Sequence, residues 1–370
     1  KIRKLIDVRN HAEMSVEQGG KSDMTKTVSR RQALKTAGVA VAAGAAISGF
    51  PALTRSAQAK KFLKPLVAGL NAKEGDPTDI SVRLIPSILK EKYDVELDIQ
   101  IHPSSTLGTD VSQLEAVQTG FIDITSNTSS QFTVFDDAFS FVDLPYIIPD
   151  WDTGERLFKS DLWKQQSAQF EKNVPVKVMP PVGAGGHRML WNSKRPLHSP
   201  DDVKGLKFRS TRSDLVIELV RNWGGNPTPI PWVETYTALQ QGVVDGYHVQ
   251  AIWTFLFKMH EVLKYATEVN ASFAIQFQVL NSNTWNAMPE DIQKPFALAA
   301  QEAADIANKK DRELEDFYKG ELRKAGMEIY APTKSEFGKW QEAGQKVWGS
   351  AGKDVPKGVV DAAVALQTSS

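Results

Sequence analysis

Two arginines and a small set of aromatic residues are the side chains in this sequence best suited to chemistry. Arg188 and Arg209 end short strand-like runs 21 positions apart. Trp232 and Tyr236, four apart at the start of a helix-like segment, share one helix face. A guanidinium is permanently charged, and its planar fork matches a carboxylate bidentately, which an ammonium cannot do. Aromatic faces wall a pocket around the apolar part of a bound molecule. The chemistry is therefore capture of a carboxylate, not the making of bonds. Residue alternation alone gives a plainer reading. Arg209 shares a face with Lys207, opposite Leu206 and Phe208, which suits a solvated arginine at a strand end. Tyr236 would serve equally well in a core.

No catalytic constellation stands beside them. His11, His102, His187, His198, His248 and His260 have no metal-ligand spacing. No nucleophile-elbow pattern is present, and the glycines of Gly183-Ala184-Gly185-Gly186 lack the lysine and helix of a phosphate loop. With no cysteine, thiolate metal sites, a catalytic thiol and disulfides are excluded. We expect no cofactor, no metal and no enzymatic activity.

Alternating strand and helix patterns must position the arginines. Leu63–Leu70 reads as a strand, and 77–93 as a helix from Ile80, Leu84, Ile85, Ile88 and Leu89. Val95, Leu97, Ile99 and Ile101 alternate as a strand does. A helix over 110–119 and a strand over 121–125 follow, then a strand over 174–178. Past Ser199-Pro200-Asp201-Asp202, a helix start with cap, proline and acids, come a strand over 206–209 and a helix over 212–223. Tyr247 and His248 follow at a strand end. Such alternation predicts an α/β fold with parallel-rich sheets, in which ligands bind beyond the carboxyl ends of strands. Asn127 and Thr128 stand at one such end, within a polar run that extends to Gln131 and reads equally as a plain turn. One helical pattern runs from Pro289 to about Ala325, roughly 50 Å long at 1.5 Å per residue. That is too long for one lobe, so it would cross two. Its fully charged middle, Lys309-Lys310-Asp311-Arg312, would be solvated. A helix near 334–348 follows, and the tail beyond it reads as small, polar and frayed.

Four stretches carry a family resemblance, in order: PSSTLGTDVSQLEAVQTGFIDI (103–124), NSKRPLHSPDDVKGLKFR (192–209) with the preceding His187-Arg188, GGNPTPIPWVETYTALQQGVVDG (224–246), and NSNTWNAMPEDIQKPFALAAQEAA (281–304). Over roughly residues 62–350 the chain resembles the solute-binding proteins of tripartite ATP-independent periplasmic (TRAP) transporters, of the dicarboxylate-binding or DctP type. The resemblance implies a two-lobed periplasmic binding protein that closes by a hinge, with a long helix crossing both lobes. It places Arg209 at the family's principal carboxylate-binding arginine, Arg188 at its second, and Trp232 at a pocket-wall aromatic; His187 has an orienting or surface role. It implies the two membrane subunits of the transporter as partners, with presentation to a sensor kinase as the alternative. One departure stands out. Many acid-binding relatives read Gly-Gln-Glu-Asn-Pro where this chain has Gly246-Tyr247-His248-Val249-Gln250, and another branch ligates a metal through Glu-Trp near this point. With a polar Asn replaced by Val249, the wall here becomes Tyr247, His248 and Trp253. The expected ligand is a small organic acid, a monocarboxylate with an apolar or aromatic body.

Composition agrees with a soluble receptor. At 370 residues there is room for two domains and a large core. Net charge is zero, but residues 1–59 hold ten of the 44 Lys and Arg and four of the 44 Asp and Glu, which leaves the body at −6. An acidic body argues against nucleic acid and leaves anion capture to local arginines. Residues 1–23 are polar and begin without Met; Met24 is read as the start, and the first 23 are set aside from fold reasoning. Ser29-Arg30-Arg31-Gln32-Ala33-Leu34-Lys35 resembles a twin-arginine export signal, followed by an uncharged run over 36–53 and the small-x-small cleavage site Ala57-Gln58-Ala59. The expected organisation is an N-terminal extension and signal over 1–59, lobe I over 60–185, lobe II over 186–274, and a return segment over 275–370 that serves both lobes. The mature chain is expected to be a periplasmic monomer.

Overall fold

The computed structural model describes residues 60–368; the proposed signal and cleavage site lie outside them. The first lobe begins with β1 (Leu66–Leu70), α1 (Pro77–Tyr93), β2 (Ile99–His102), α2 (Asp110–Thr119) and β3 (Ile124–Thr128). Strand β1 lies between β2 and β3, parallel to both. The bounds of α1 and α2 are those the sequence predicts, because local signals set them. The Asp76 side chain accepts the Thr78 N–H at the head of α1, with Pro77 in the first turn. Thr109 caps α2, and Gly120 at φ 78° ends it.

Helices α3 (Trp151–Lys159) and α4 (Asp161–Asn173) lead to β4 (Val176–Val178) and the long β5 (Val182–Asn192). The second lobe holds β6 (Lys207–Ser210), α5 (Asp214–Asn222), β7 (Asn226–Pro229), α6 (Thr235–Gln240), β8 (Gly246–Gln250), α7 (Ala251–Leu256) and β9 (Tyr265–Thr267). The chain returns through β10 (Phe273–Asn281), α8 (Glu290–Lys324), β11 (Glu328–Tyr330), α9 (Lys334–Gly349) and α10 (Lys357–Thr368).

The strands run β2-β1-β3-β10-β5-β8-β6-β7. The outer pairs of each lobe are parallel, as alternation predicts. The centre is antiparallel, because β5 and β10 are connecting strands that run between the lobes: β5 pairs with β10 near its start and with β8 and β9 over Arg188–Asn192. The expected boundary at 185–186 thus falls inside a continuous strand.

Helix α8 crosses both lobes. Ile292, Phe296 and Ala299 join α1 and β1 in one core, while Leu314, Tyr318 and Leu322 join the core of the second lobe. Its charged middle is not wholly solvated. Lys309 and Arg312 are exposed, but Asp311 is fully buried and its carboxylate accepts the Gly185 N–H at 2.9 Å. One turn earlier Asn308 accepts the Gly183 N–H at 2.7 Å. The start of β5 lies so close to α8 that its amides need acceptors from the helix, and this buries a carboxylate that composition alone assigns to solvent. Gly185 and Gly186 take φ 97° and 72°, and a Cβ would run into Ile252 at the first and Glu315 at the second.

The tail also differs from expectation. α10 is a helix whose Val359, Val360 and Leu366 pack on the main core, tied by Arg156 Nε donating to Leu366 O at 2.7 Å. A stripe at helical spacing lies within the small residues.

Candidate ligand-binding site

Strand β8 lies between β5 and β6, so the two arginines rise from strands on either side of it. Arg188 stands opposite Gln250, and Arg209 opposite Tyr247. Both are buried, each 6% exposed. The solvated reading of Arg209 held only within its own strand. Lys207 is exposed, but the segment that ends in Trp232 and the opposite lobe cover the face two residues on. Arg209 Nε donates to Ile230 O at 2.8 Å, and its guanidinium lies 5.5 Å from the centre of the Trp232 ring. The Arg188 side chain has no hydrogen bond or ion pair among the described residues. Two forks therefore carry unused N–H donors in one place.

Burial dominates the electrostatics. It pushes Arg209 down to about 10, against the pull of Asp110, with Arg188 lowering it further. Arg188 is lowered by burial and raised by Asp143. Burial raises Asp110, which Arg209 opposes, and lifts Asp143 to about 6. Two cations and two buried carboxyls thus share the region.

A cavity of about 20 Å3 lies between the lobes, room for about one water molecule. Asn71, Asp110, Thr128 and Gln131 line it from the first lobe, and Arg209, Thr211, Trp232, Val249, Gln250 and Trp253 from the second, with Arg188 on the shared strand. A solute of several heavy atoms can enter only if the lobes part. Five lining residues have a buried polar atom with no partner among the described residues: Asn71 Oδ1, Gln131 Oε1, Thr211 Oγ1, Trp232 Nε1 and Gln250 Nε2. Such atoms are costly unless something satisfies them.

Arg188, Arg209, Trp232, Thr128 and Trp253 come together here, with the Trp232 and Trp253 rings 4.8 Å apart. Four residues named from the sequence do not line the cavity. Asn127 sits one layer behind, accepting from Asn71 Nδ2 at 3.1 Å. Tyr247 is fully buried, its hydroxyl donating to Thr254 Oγ1 at 2.9 Å. His248 lies behind Arg188, its Nε2 3.2 Å from the Arg188 carbonyl and its ring edge-on to Trp223; burial drives it down to about 3. Tyr236 reaches outward to Glu261 at 3.0 Å. The expected strand end at Tyr247–His248 lies inside β8, which runs on to Gln250, and the residues at its actual end, Val249 and Gln250, line the cavity instead. Sequence reasoning missed Asn71, Asp110, Gln131 and Thr211. Asn71 and Thr211 follow the last residues of β1 and β6, so the rule of carboxyl strand ends reaches them. Gln131 closes the polar run noted after the strand, where it reads equally as a plain turn, and no local signal marks Asp110.

A family model described as "DctP: Bacterial extracellular solute-binding protein, family 7" matches residues 68–354. The C4-dicarboxylate-binding periplasmic protein DctP of Vibrio cholerae is 28% identical over 291 residues, 78% of this chain and 86% of that protein. The 2,3-diketo-L-gulonate-binding periplasmic protein YiaO of Escherichia coli is 26% identical over 315 residues, 84% and 93% of the two chains. Among solved structures, a TRAP periplasmic solute-binding protein from a Polaromonas species, bound to D-erythronate, superposes with a TM-score of 0.78 at 22% identity and covers 84% of this chain and 100% of that one. Another from Sulfurospirillum deleyianum, with bound succinate, gives 0.77 at 21% identity, over 83% and 99%.

Proposed function

The chain belongs to the DctP family of bacterial extracellular solute-binding proteins, and from that premise we propose that it is the periplasmic receptor of a TRAP-type transporter, capturing a small hydroxylated monocarboxylate that it hands to the transporter's membrane subunits. Arg209 and Arg188 hold the carboxylate, with Trp232 and Trp253 as walls. The observation that carries this reading is the pair of buried guanidinium groups whose spare N–H donors meet in one interlobe cavity. A desolvated arginine is relieved when an anion arrives.

The rest of the lining sets the body of the ligand. Tyr247 and His248 stand outside the cavity, so the aromatic wall is smaller than the sequence suggests. The unpartnered atoms of Asn71, Gln131, Thr211, Trp232 and Gln250 ask for both donors and acceptors, which hydroxyl groups supply. Asp110, buried on the same cavity wall, repels a second carboxylate and accepts from a hydroxyl. Periplasmic relatives named for a dicarboxylate and a keto-sugar acid support the class of small organic acids. Export by the twin-arginine signal, with cleavage near Ala59, belongs to the same proposal.

Thermal-shift screening of organic acids tests it. A ligand at one hundred times its dissociation constant stabilises the folded state by about 2.7 kcal/mol. Hydroxylated monocarboxylates should shift the midpoint more than dicarboxylates of equal length. A response confined to dicarboxylates, sugars or amines overturns the proposal.

A further inference from the structure

Between β1 and α1 the chain leaves the first lobe's sheet, meets the interlobe cavity and bonds to the second lobe at two points. Asn71 lines the cavity. Two residues on, Lys73 donates from Nζ to Leu256 O at 2.7 Å, and its ammonium lies 5.1 Å from the centre of the Phe257 ring. Asp76 is fully buried and does two things at once. Oδ1 accepts the Thr78 N–H at the head of α1, and Oδ2 accepts Nε1–H of Trp253 from the second lobe, each at 2.9 Å. The cap lies within the first lobe and survives any lobe motion. The indole bond joins residues 177 apart and exists only with the lobes together. Trp253 is itself a cavity wall, packed on Trp232 and Phe257.

We propose that Lys73 and Asp76 are positioning residues for solute retention: a strap that fastens the Trp253–Phe257 face onto the first lobe and holds the Trp253 ring in the cavity wall without touching the solute. The physical basis is the strength of charge-assisted bonds away from water. Burial raises Asp76 to about 6 against the opposing pull of the Thr78 amide and the Trp253 indole, which leaves it largely ionised at neutral pH, and the indole gives that carboxylate a donor it lacks once the lobes part. Lys73 adds a second fastening on the same face, so the two bonds resist shear as well as separation. The consequence for solute retention rests on the proposed ligand cavity; the closure contact does not.

The test is therefore made without ligand. The chain has no cysteine, so Thr106→Cys and Thr237→Cys, at exposed positions on the two lobes, supply two unique spin-label sites. Double electron–electron resonance then gives the ratio of near to far lobe separations. Trp253→Phe keeps a ring and removes the donor; Lys73→Met removes the other fastening; Asp76→Asn keeps a helix cap. The wild type should show a near population, and Trp253→Phe with Lys73→Met should lower the near-to-far ratio at least about tenfold, which is about 1.4 kcal/mol. Each single variant, Asp76→Asn included, should shift the ratio part of the way with an unchanged melting midpoint, which separates a strap from a general packing role. Distributions identical to wild type, or a wild type with no near population, overturn the strap. Failure of the ligand reading shows elsewhere, as an Arg209→Ala variant that keeps its affinity for organic acids.

Discussion

Replacing Arg209 separates ligand anchoring from structural support. Its lowering from the usual 12.5 to about 10 means that holding the charge in the closed, ligand-free cavity costs roughly 3 kcal/mol, at 1.36 kcal/mol per pH unit. A ligand carboxylate recovers that cost and adds a bidentate pair. Breaking a buried charge pair costs roughly 2–5 kcal/mol, so Arg209→Ala should weaken binding about thirty- to several-thousand-fold. Arg209→Lys keeps a charge beside Asp110 but loses the fork, and should still lose at least about tenfold. Stability without ligand should move little, because opposing terms meet. Removing the guanidinium relieves its desolvation. It also forfeits the bond to Ile230 O, worth about 1 kcal/mol, and leaves Asp110 without its counter-charge. A net change of about 1 kcal/mol or less moves the melting midpoint of a chain this long by at most about 2 °C. Calorimetric titration of both variants with the strongest acid from the screen, beside melting of the ligand-free proteins, decides. Wild-type affinity in Arg209→Ala would refute the anchoring role. So would unfolding of the ligand-free variant, which would make the arginine structural.

Other outcomes follow from the same geometry. Burial holds Asp143 at about 6 in the folded state, against about 3.9 when unfolded. The stability this proton supplies is present below pH 4 and is lost as pH rises through 6. Asp143→Asn should therefore gain on wild type by about 2 kcal/mol between pH 4 and 7.5 in denaturant titrations; a constant difference would mean that Asp143 does not titrate there. Gly185→Ala should destabilise by about 2–5 kcal/mol, from a left-handed backbone and a collision with Ile252, and unchanged melting would show that β5 and α7 have room to shift apart. Arg30→Lys with Arg31→Lys should leave unprocessed precursor in the cytoplasm, whereas normal periplasmic yield would assign export to the general secretory route.

Of the fold and the site, the sequence by itself determined what short-range chemistry controls. Helices α1, α2 and α8 were legible because caps, periodicity and prolines act within a few residues of themselves, whereas α3, α4 and β10 were not read from the sequence. The arginine pair was legible as chemistry, and its assignment rested on ordered motifs. Only the tertiary structure decided which side chains face the cavity. Arg209 and Lys207 alternate alike along β6, yet one is buried and the other exposed, because the covering segment comes from residues 230–232. Tyr247 and His248 fell behind the cavity, and Val249 and Gln250 into it, through the register of β8 against β5 and β6. Asp311 was drawn inward by the amide of Gly185, 126 residues away. Asn71, Asp110 and Gln131 converge with the second lobe only once the sheet order is set. Burial and convergence depend on pairings between strands far apart in the chain, and no local pattern encodes them.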